Sequence, residues 1–427
     1  MNSFSELGIK PFLINKLNER SIEKPTEIQK LVIPRLLENK NIFFRSETGT
    51  GKTFAYLLPF LQKLTDAADP DIKQEINPVV NESFFNSPAL LIIAPTLELC
   101  SQIFGELDFL LDKSSQPEQR EIRPVLVIGS ANLDRQIETI KKTRSRIIIG
   151  NPGRLLVLAK KKIIKFNGLR FLVLDEADRL VSEEMSGETN ELIEIINKNK
   201  KEKTFVITAC SATLNKKNRD KIQKLIAVNN INFIESDDHE ILREKIEHWA
   251  IFSEKRRKDQ TLRSLLSALR NKKGKKSKVK ALVFTSRGED AALILSRLQY
   301  HHVPAAGLFG KINKKPISGH ERKTALELFR QGGTEALVCT DLAARGLDIN
   351  GVTHIIAMDV PSDSEVYIHR CGRTARAGRQ GIMITIGDET QMRLLASLEK
   401  KLKIRIQPKE LYNGQIRVPM LDEEDQI

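Results

Sequence analysis

Three short blocks of this sequence hold residues whose types and spacing could work together on a phosphate. The first is Ser46–Thr53 (SETGTGKT). It follows the apolar run Asn41–Arg45 (NIFFR) and precedes Phe54, Leu57, Leu58, Leu61 and Leu64 at helical spacing. A glycine-rich turn between a strand and a helix lets backbone N–H groups wrap a phosphate, and the positive helix terminus adds to the attraction. Lys52 would reach the β- and γ-phosphates, and Thr53 would bind Mg2+. The general pattern asks for Gly where this chain has Ser46, so the strand-turn-helix context carries the reading against that of a plain Gly/Thr-rich turn.

The second block is Leu174–Asp178 (LDEAD), at the end of the apolar run Phe171–Leu174. Ligands of open α/β sheets bind at the C-terminal ends of strands, where Asp175 would stand. A carboxylate there can hold Mg2+ through water, and Glu176 beside it can orient and deprotonate an attacking water. Alone, an acidic pair is usually a solvated turn; here it shares a domain with a phosphate loop. The third block is His369–Arg376 (HRCGRTAR). Three arginines at a spacing of three are costly to bury without anions. Arg makes bidentate contacts to phosphate and can stabilise charge on a transferring phosphoryl group. A solvated basic face would not explain the intervening Gly372, or why the block precedes a buried strand.

These blocks need scaffolds. Short apolar runs recur at Leu90–Ala94, Val125–Gly129, Arg146–Gly150 and Thr204–Thr208, then at Ala281–Thr285, Ala336–Thr340, His354–Met358 and Ile382–Ile386. Their β-branched content and lack of polar alternation suit strands buried on both faces, and helical patterns between them imply parallel sheets. The class is α/β. At 427 residues the chain is too long for one ordinary core. A polar stretch between about Asn229 and Glu247 separates two halves, so we expect domains at 1–235 and 247–405, a linker at 236–246 and a short tail at 406–427. Thr65–Pro88, with three prolines, and the lysine run Lys272–Lys280 read as surface excursions.

Composition is ordinary for a globular protein, with 40% hydrophobic and 29% charged residues. Lys plus Arg (69) exceed Asp plus Glu (55) by 14, which suits a polyanionic partner and equally a lysine-rich surface. Cys100, Cys210, Cys339 and Cys371 form no CxxC pair, and no His stands at metal-ligand spacing, so buried thiols, no structural zinc and a reducing compartment are expected. No run reaches membrane-spanning length and the N-terminus does not read as a signal peptide. A cytoplasmic monomer with no membrane partner is the simplest expectation.

Taken in order, SETGTGKT, DEAD and HRCGRTAR resemble the DEAD-box RNA helicases of superfamily 2. Ser21–Gln29 (SIEKPTEIQ) resembles the family's Q motif, Phe4 its upstream aromatic, Ser211–Thr213 its SAT, and Thr340–Asp348 (TDLAARGLD) its motif V. The likeness runs from about Phe4 to about Ile386. It implies two tandem RecA-like domains, each a mostly parallel sheet flanked by helices. It implies an ATP hydrolase that locally unwinds or remodels RNA, with ATP and Mg2+ as cofactors. In that frame ATP is held by Phe4, Gln29, Ser46, Glu47, Thr48, Gly49, Thr50, Gly51, Lys52, Thr53 and Asp348. Gln29 reads the adenine edge and Asp348 the ribose. Asp175 and Thr53 hold the metal, Glu176 is the base, and Arg373 and Arg376 are arginine fingers supplied when the lobes close. Asp178 bonds Ser211 and Thr213, coupling hydrolysis to RNA grip. Pro95, Thr96, Gly129, Pro152, Gly153, Arg154 and Thr340 match positions that touch the RNA backbone.

The departures fall mostly on the RNA side. Pro95–Cys100 reads PTLELC where the family has PTRELA, so Leu97 replaces a cation. Ser130 follows Gly129 where a second Gly is usual, Asn151–Arg154 is NPGR for TPGR, Gly319 stands where a Gln is usual, and Val181–Gly187 lacks the GF ending. The Q motif has Ile22 where an aromatic often stacks. Intact ATPase chemistry is expected. The altered RNA side keeps a second reading alive, an ATP-gated RNA clamp or assembly scaffold with little unwinding. Ribonucleoprotein or ribosome-assembly factors are the expected protein partners, and nothing in the sequence names the RNA.

Overall fold

Runs of four to seven residues rich in Ile, Leu, Val and Phe become parallel strands, because only a sheet covered on both faces hides every one of their side chains. The computed structural model describes residues 3–45, 51–65, 87–111, 122–143, 145–198, 205–211, 216–226, 231–235, 245–271, 278–309, 311–312, 315–316, 319–344, 349, 351–375 and 380–419. The chain divides into two units, Met1–Ser236 and Asp237–Ile427.

The first unit holds β1 (Ile42–Arg45), β2 (Leu90–Ile93), β3 (Pro124–Val127), β4 (Ile147–Gly150), β5 (Phe171–Leu174), β6 (Val206–Ser211) and β7 (Asn232–Glu235). They form one sheet in the order β3-β4-β2-β5-β6-β1-β7, with every neighbouring pair parallel. Strands β2, β4, β5 and β6 are buried at every position. Their side chains still alternate between two cores, as strand geometry requires. Phe44, Ile92, Val173 and Cys210 join the helices Glu27–Leu37, Lys52–Leu64 and Leu97–Leu110 on one face. Phe43, Ile93, Leu174 and Ala209 join Pro152–Lys160, Ser186–Lys198 and Lys216–Ile226 on the other.

The second unit holds β8 (Ile246–Phe252), β9 (Ala281–Thr285), β10 (Ala305–Leu308), β11 (Lys311–Ile312), β12 (Lys315–Pro316), β13 (Ala336–Thr340), β14 (His354–Ala357), β15 (Gly381–Gly387), β16 (Ile406–Tyr412) and β17 (Gln415–Arg417). Its sheet runs β10-β13-β9-β14-β15-β8-β16-β17, parallel up to the antiparallel β16–β17 pair, and β11–β12 form a separate ribbon.

The sequence reading missed several strands, because none of them is a continuous run of large apolar residues. β7 has one buried residue, Ile234, and lay inside the polar stretch read as a connection. β10 is Ala-Ala-Gly-Leu, too small to register as an apolar run. β16 reads IQPKELY and falls in what was expected to be a tail; it pairs in parallel with β8, Ile406 opposite His248, so that segment belongs to the sheet. The excursions at 66–86 and 272–277 lie outside the described residues. All four cysteines are free and buried. Among the described residues no helix is long and apolar enough to cross a membrane.

Candidate active site and nucleic-acid interface

Sheet order decides which blocks meet. β6 lies between β5 and β1, and all three are parallel, so the DEAD block, Ser211 and the phosphate-loop helix emerge from one sheet edge. Ser46, Glu47, Thr48, Gly49, Thr50, Thr213, Asp348 and Arg376 lie outside the described residues.

Gly51 caps the helix Lys52–Leu64 at φ +90°, a left-handed backbone that favours glycine. A Cβ there would also collide with the Gln29 amide. Gln29 is 2% exposed and tied at both ends: Nε2 donates to Gly51 O at 3.0 Å, and Oε1 accepts from Thr26 N at 2.9 Å. Among the described residues one N–H and one lone pair of the amide carry no further partner. Gln62, which the sequence reading did not single out, pins the upstream segment to the same helix. Its Oε1 accepts from Lys10 N at 2.8 Å and its Nε2 donates to Gly8 O at 2.9 Å. Phe4 is buried in the core beside that segment. Lys52 and Thr53 are half-buried in the first turn.

Asp175 follows β5 and is 3% exposed. Its Oδ1 accepts from Glu176 N at 2.8 Å and from Cys210 Sγ at 3.0 Å; its Oδ2 accepts from the Tyr56 hydroxyl at 2.8 Å. Burial, then the Asp175 charge, push both Tyr56 and Cys210 well above their usual titration ranges, so both stand as protonated donors. Glu176 has φ 48° and ψ 51°, left-handed for a non-glycine residue, which costs on the order of 1 kcal/mol. Its Oε2 lies 3.5 Å from Arg179 Nη1. Asp178 sits in the first turn of Ala177–Leu180, and Ser211 is fully buried at the end of β6. A carboxylate and a hydroxyl suit a hard cation, and Mg2+ takes few protein ligands, completing its shell with water and phosphate oxygens. Among the described residues there is no group of three or more His, Cys, Asp or Glu that could hold a metal ion.

The RNA-side positions are built differently. Pro152 starts the helix Pro152–Lys160, on the sheet face opposite the phosphate-loop helix. Arg154 Nη2 donates to Gly129 O at 2.6 Å and Nη1 to Gln136 Oε1 at 3.4 Å, while Gln136 Nε2 donates to Ile128 O at 2.9 Å. A Cβ on Gly153 would meet Glu188 Oε2 at 2.8 Å. Pro95 is buried; Thr96 caps Leu97–Leu110 by accepting from Leu99 N at 3.2 Å, on the same face as the phosphate-loop helix. Leu97 is 36% exposed.

In the second unit the arginine block divides. Arg370 is 1% exposed and grips Asp341 through Nε and Nη2, both at 2.8 Å, and Asp359 through Nη2 at 2.8 Å and a backbone bond at 2.9 Å. Its anions are carboxylates of its own unit, not a phosphate. Arg373 is 5% exposed, one turn on. Thr340 ends β13, and its Oγ1 accepts from Ala343 N at 3.4 Å.

Residues 26–222 match the DEAD/DEAH box helicase family, and residues 257–378 match the helicase conserved C-terminal domain. A DEAD-box ATP-dependent RNA helicase, CshC, of Bacillus cereus is 32% identical over 95% of this chain and 93% of its own. The ATP-dependent RNA helicase CshA of Listeria monocytogenes is 32% identical over 98% of this chain and 73% of its own. A solved structure of Mss116p bound to single-stranded RNA and AMP-PNP superposes with a TM-score of 0.78 at 26% identity, covering 96% of this chain and 78% of that one. Dbp5 of S. cerevisiae, at 23% identity and a TM-score of 0.76 over 96% of both chains, shows the fold alone. With its motifs in order and both halves matched, the chain belongs to the DEAD/DEAH box helicase family.

Proposed function

We propose that this chain is an ATP-dependent RNA helicase whose hydrolysis of ATP is stimulated by RNA. The observation that carries the reading is the placement of Asp175 and the left-handed Glu176 at the end of β5, with β6 alone between it and the strand that leads into Lys52. Gln29 presents its remaining N–H and lone pair to the adenine edge, with Phe4 packed behind the segment. Ser46, Glu47, Thr48, Gly49, Thr50 and Gly51 wrap the phosphates, Lys52 neutralises them, and Asp348 holds the ribose. Thr53 and Asp175 would hold Mg2+, which when bound supplies positive charge to the β- and γ-phosphate oxygens. Glu176 orients a water and takes its proton as the water oxygen bonds to the γ-phosphorus. The bond to the bridging oxygen breaks and ADP leaves. Arg373 and Arg376 stabilise the charge that spreads over the transferring group. Asp178, Ser211 and Thr213 link this chemistry to RNA grip.

Pro95, Thr96, Gly129, Pro152, Gly153, Arg154 and Thr340 contact the sugar-phosphate backbone, which makes binding largely independent of sequence. The solved relative bound to both single-stranded RNA and AMP-PNP supports pairing these two ligands in one reading.

The test is ATP hydrolysis with no nucleic acid, with single-stranded RNA, and with DNA of the same sequence. Strong stimulation by RNA alone is expected. Little hydrolysis in all three, despite tight ATP binding, would sink the helicase reading and leave an ATP-gated clamp.

A further inference from the structure

Two fully buried side chains beside the DEAD block have no part in the mechanism above. Tyr56 lies one turn after Thr53 in the helix Lys52–Leu64, and Cys210 precedes Ser211 in β6. Both have 0% exposure. They come from two different elements, a helix and the neighbouring strand β6, 119 and 35 positions from Asp175 in sequence, and both end on its carboxylate.

We propose that Tyr56 and Cys210 are positioning residues for ATP hydrolysis, locking the Asp175 carboxylate in the orientation from which it meets a metal-bound water. The proposal rests on Asp175 serving the metal, as assigned above. An ionised carboxylate offers about four lone-pair positions. Three are filled: Cys210 Sγ and Glu176 N on Oδ1, and the Tyr56 hydroxyl on Oδ2. Among the described residues one acceptor position is left, on Oδ2, for a further donor.

Packing alone does not call for this arrangement. Phe at 56 and Ala at 210 would fill most of the same space without burying a hydroxyl and a thiol, each of which costs free energy unless hydrogen-bonded. Both polar atoms are buried and both are satisfied by the same carboxylate. That convergence separates a positioning network from two independent core side chains. A hydrogen bond to a charged group is worth about 1.5–3 kcal/mol, which corresponds to a ten- to hundredfold effect on whatever depends on the carboxylate's orientation.

The variants are Tyr56→Phe, Cys210→Ala and Cys210→Ser in the full chain. The first readout is the affinity of Mn2+ for the ADP complex, followed by electron paramagnetic resonance. ADP binding without metal and thermal unfolding without metal are measured beside it. Tyr56→Phe should weaken Mn2+ about tenfold and raise by a similar factor the Mg2+ concentration needed for half-maximal ATP hydrolysis. Metal-free ADP binding should stay unchanged. Cys210→Ala should act in the same direction but less, because a thiol is a weaker donor, and Cys210→Ser should recover most of the loss. Equal Mn2+ affinity in wild type, Tyr56→Phe and Cys210→Ala overturns the positioning role. So does a loss of thermal stability that tracks every loss of metal affinity and is not relieved in Cys210→Ser. A wild-type chain that binds ADP but no Mn2+ sinks the metal assignment to Asp175 itself, and the positioning role with it.

Discussion

Within the first unit, the surroundings of Asp175 and those of Arg154 are built on opposite principles. Around Asp175 three donors from three elements converge on one buried carboxylate, and the residue after it holds a costly backbone conformation. Around Arg154, itself half-buried, the polar groups bond to backbone carbonyls and to the neighbouring Gln136 amide, and among the described residues no carboxylate draws them together. Hydrolysis needs a water and a phosphorus aligned to a fraction of an ångström. Gripping a polyanion needs charge and donors in roughly the right places. The departures at Leu97, Ser130 and Asn151 sit where tolerance is greatest, and the residues assigned to ATP chemistry keep the family's types.

The comparison breaks most decisively at Glu176. Replacing it with Gln should cut ATP turnover by about 10²–10⁴-fold while leaving ATP-dependent RNA retention, read by filter binding against hydrolysis of labelled ATP. Surviving turnover would remove Glu176 as the base. Next in size is Arg370→Ala, which empties a buried site and leaves the half-buried Asp341 and Asp359 facing each other without their cation. Denaturant unfolding should show the second unit destabilised by about 3–5 kcal/mol. A smaller effect is expected for Gly51→Ala, where a left-handed φ and the Gln29 amide both oppose a Cβ. A loss of about 1–3 kcal/mol is expected in thermal unfolding, with ATP binding weakened. Leu97→Arg acts in the other direction. It should tighten RNA severalfold at low salt and steepen the dependence of log K on log salt by about one, measured by fluorescence anisotropy. Gly153→Ala should matter least, below about 1 kcal/mol, because only the exposed Glu188 carboxylate must move aside. A large effect there would show that the RNA side is as tightly specified as the ATP side.

What the sequence revealed follows the same division. FLVL and ALVFT announced β5 and β9 with matching ends, because strands buried on both faces leave no polar residue to blur the pattern. β7 escaped because an edge strand tolerates polar residues, and β16, paired on both sides, escaped because IQPKELY holds too few apolar residues to stand out as a run. Lys52, Asp175 and Glu176 could be read from their neighbours, since a phosphate loop and a strand-end acid are local patterns. Tyr56, Gln62 and Cys210 could not. Each looks like an ordinary core or helix residue until the fold sets it against a partner 35 to 119 positions away. Arg370 was read together with its two neighbouring arginines, and only the positions of Asp341 and Asp359 separate it from them.

The place of β1 in its sheet also orders events in time. The strand that leads into the phosphate loop lies between β6 and β7, and Asn41 Oδ1 accepts from Ile207 N across 166 positions. A chain growing from its N-terminus therefore makes β1 early and leaves both its edges open until residues near 207 and 232 arrive. Through that interval β1 is an unpaired apolar strand, open to pairing with another nascent chain. Its closure coincides with the arrival of Cys210 and Ser211 beside Asp175. The first unit thus brings the strands around Asp175 together only in the last fifth of its own synthesis, and on the proposed assignment a capacity to bind ATP would mark a unit that is finished.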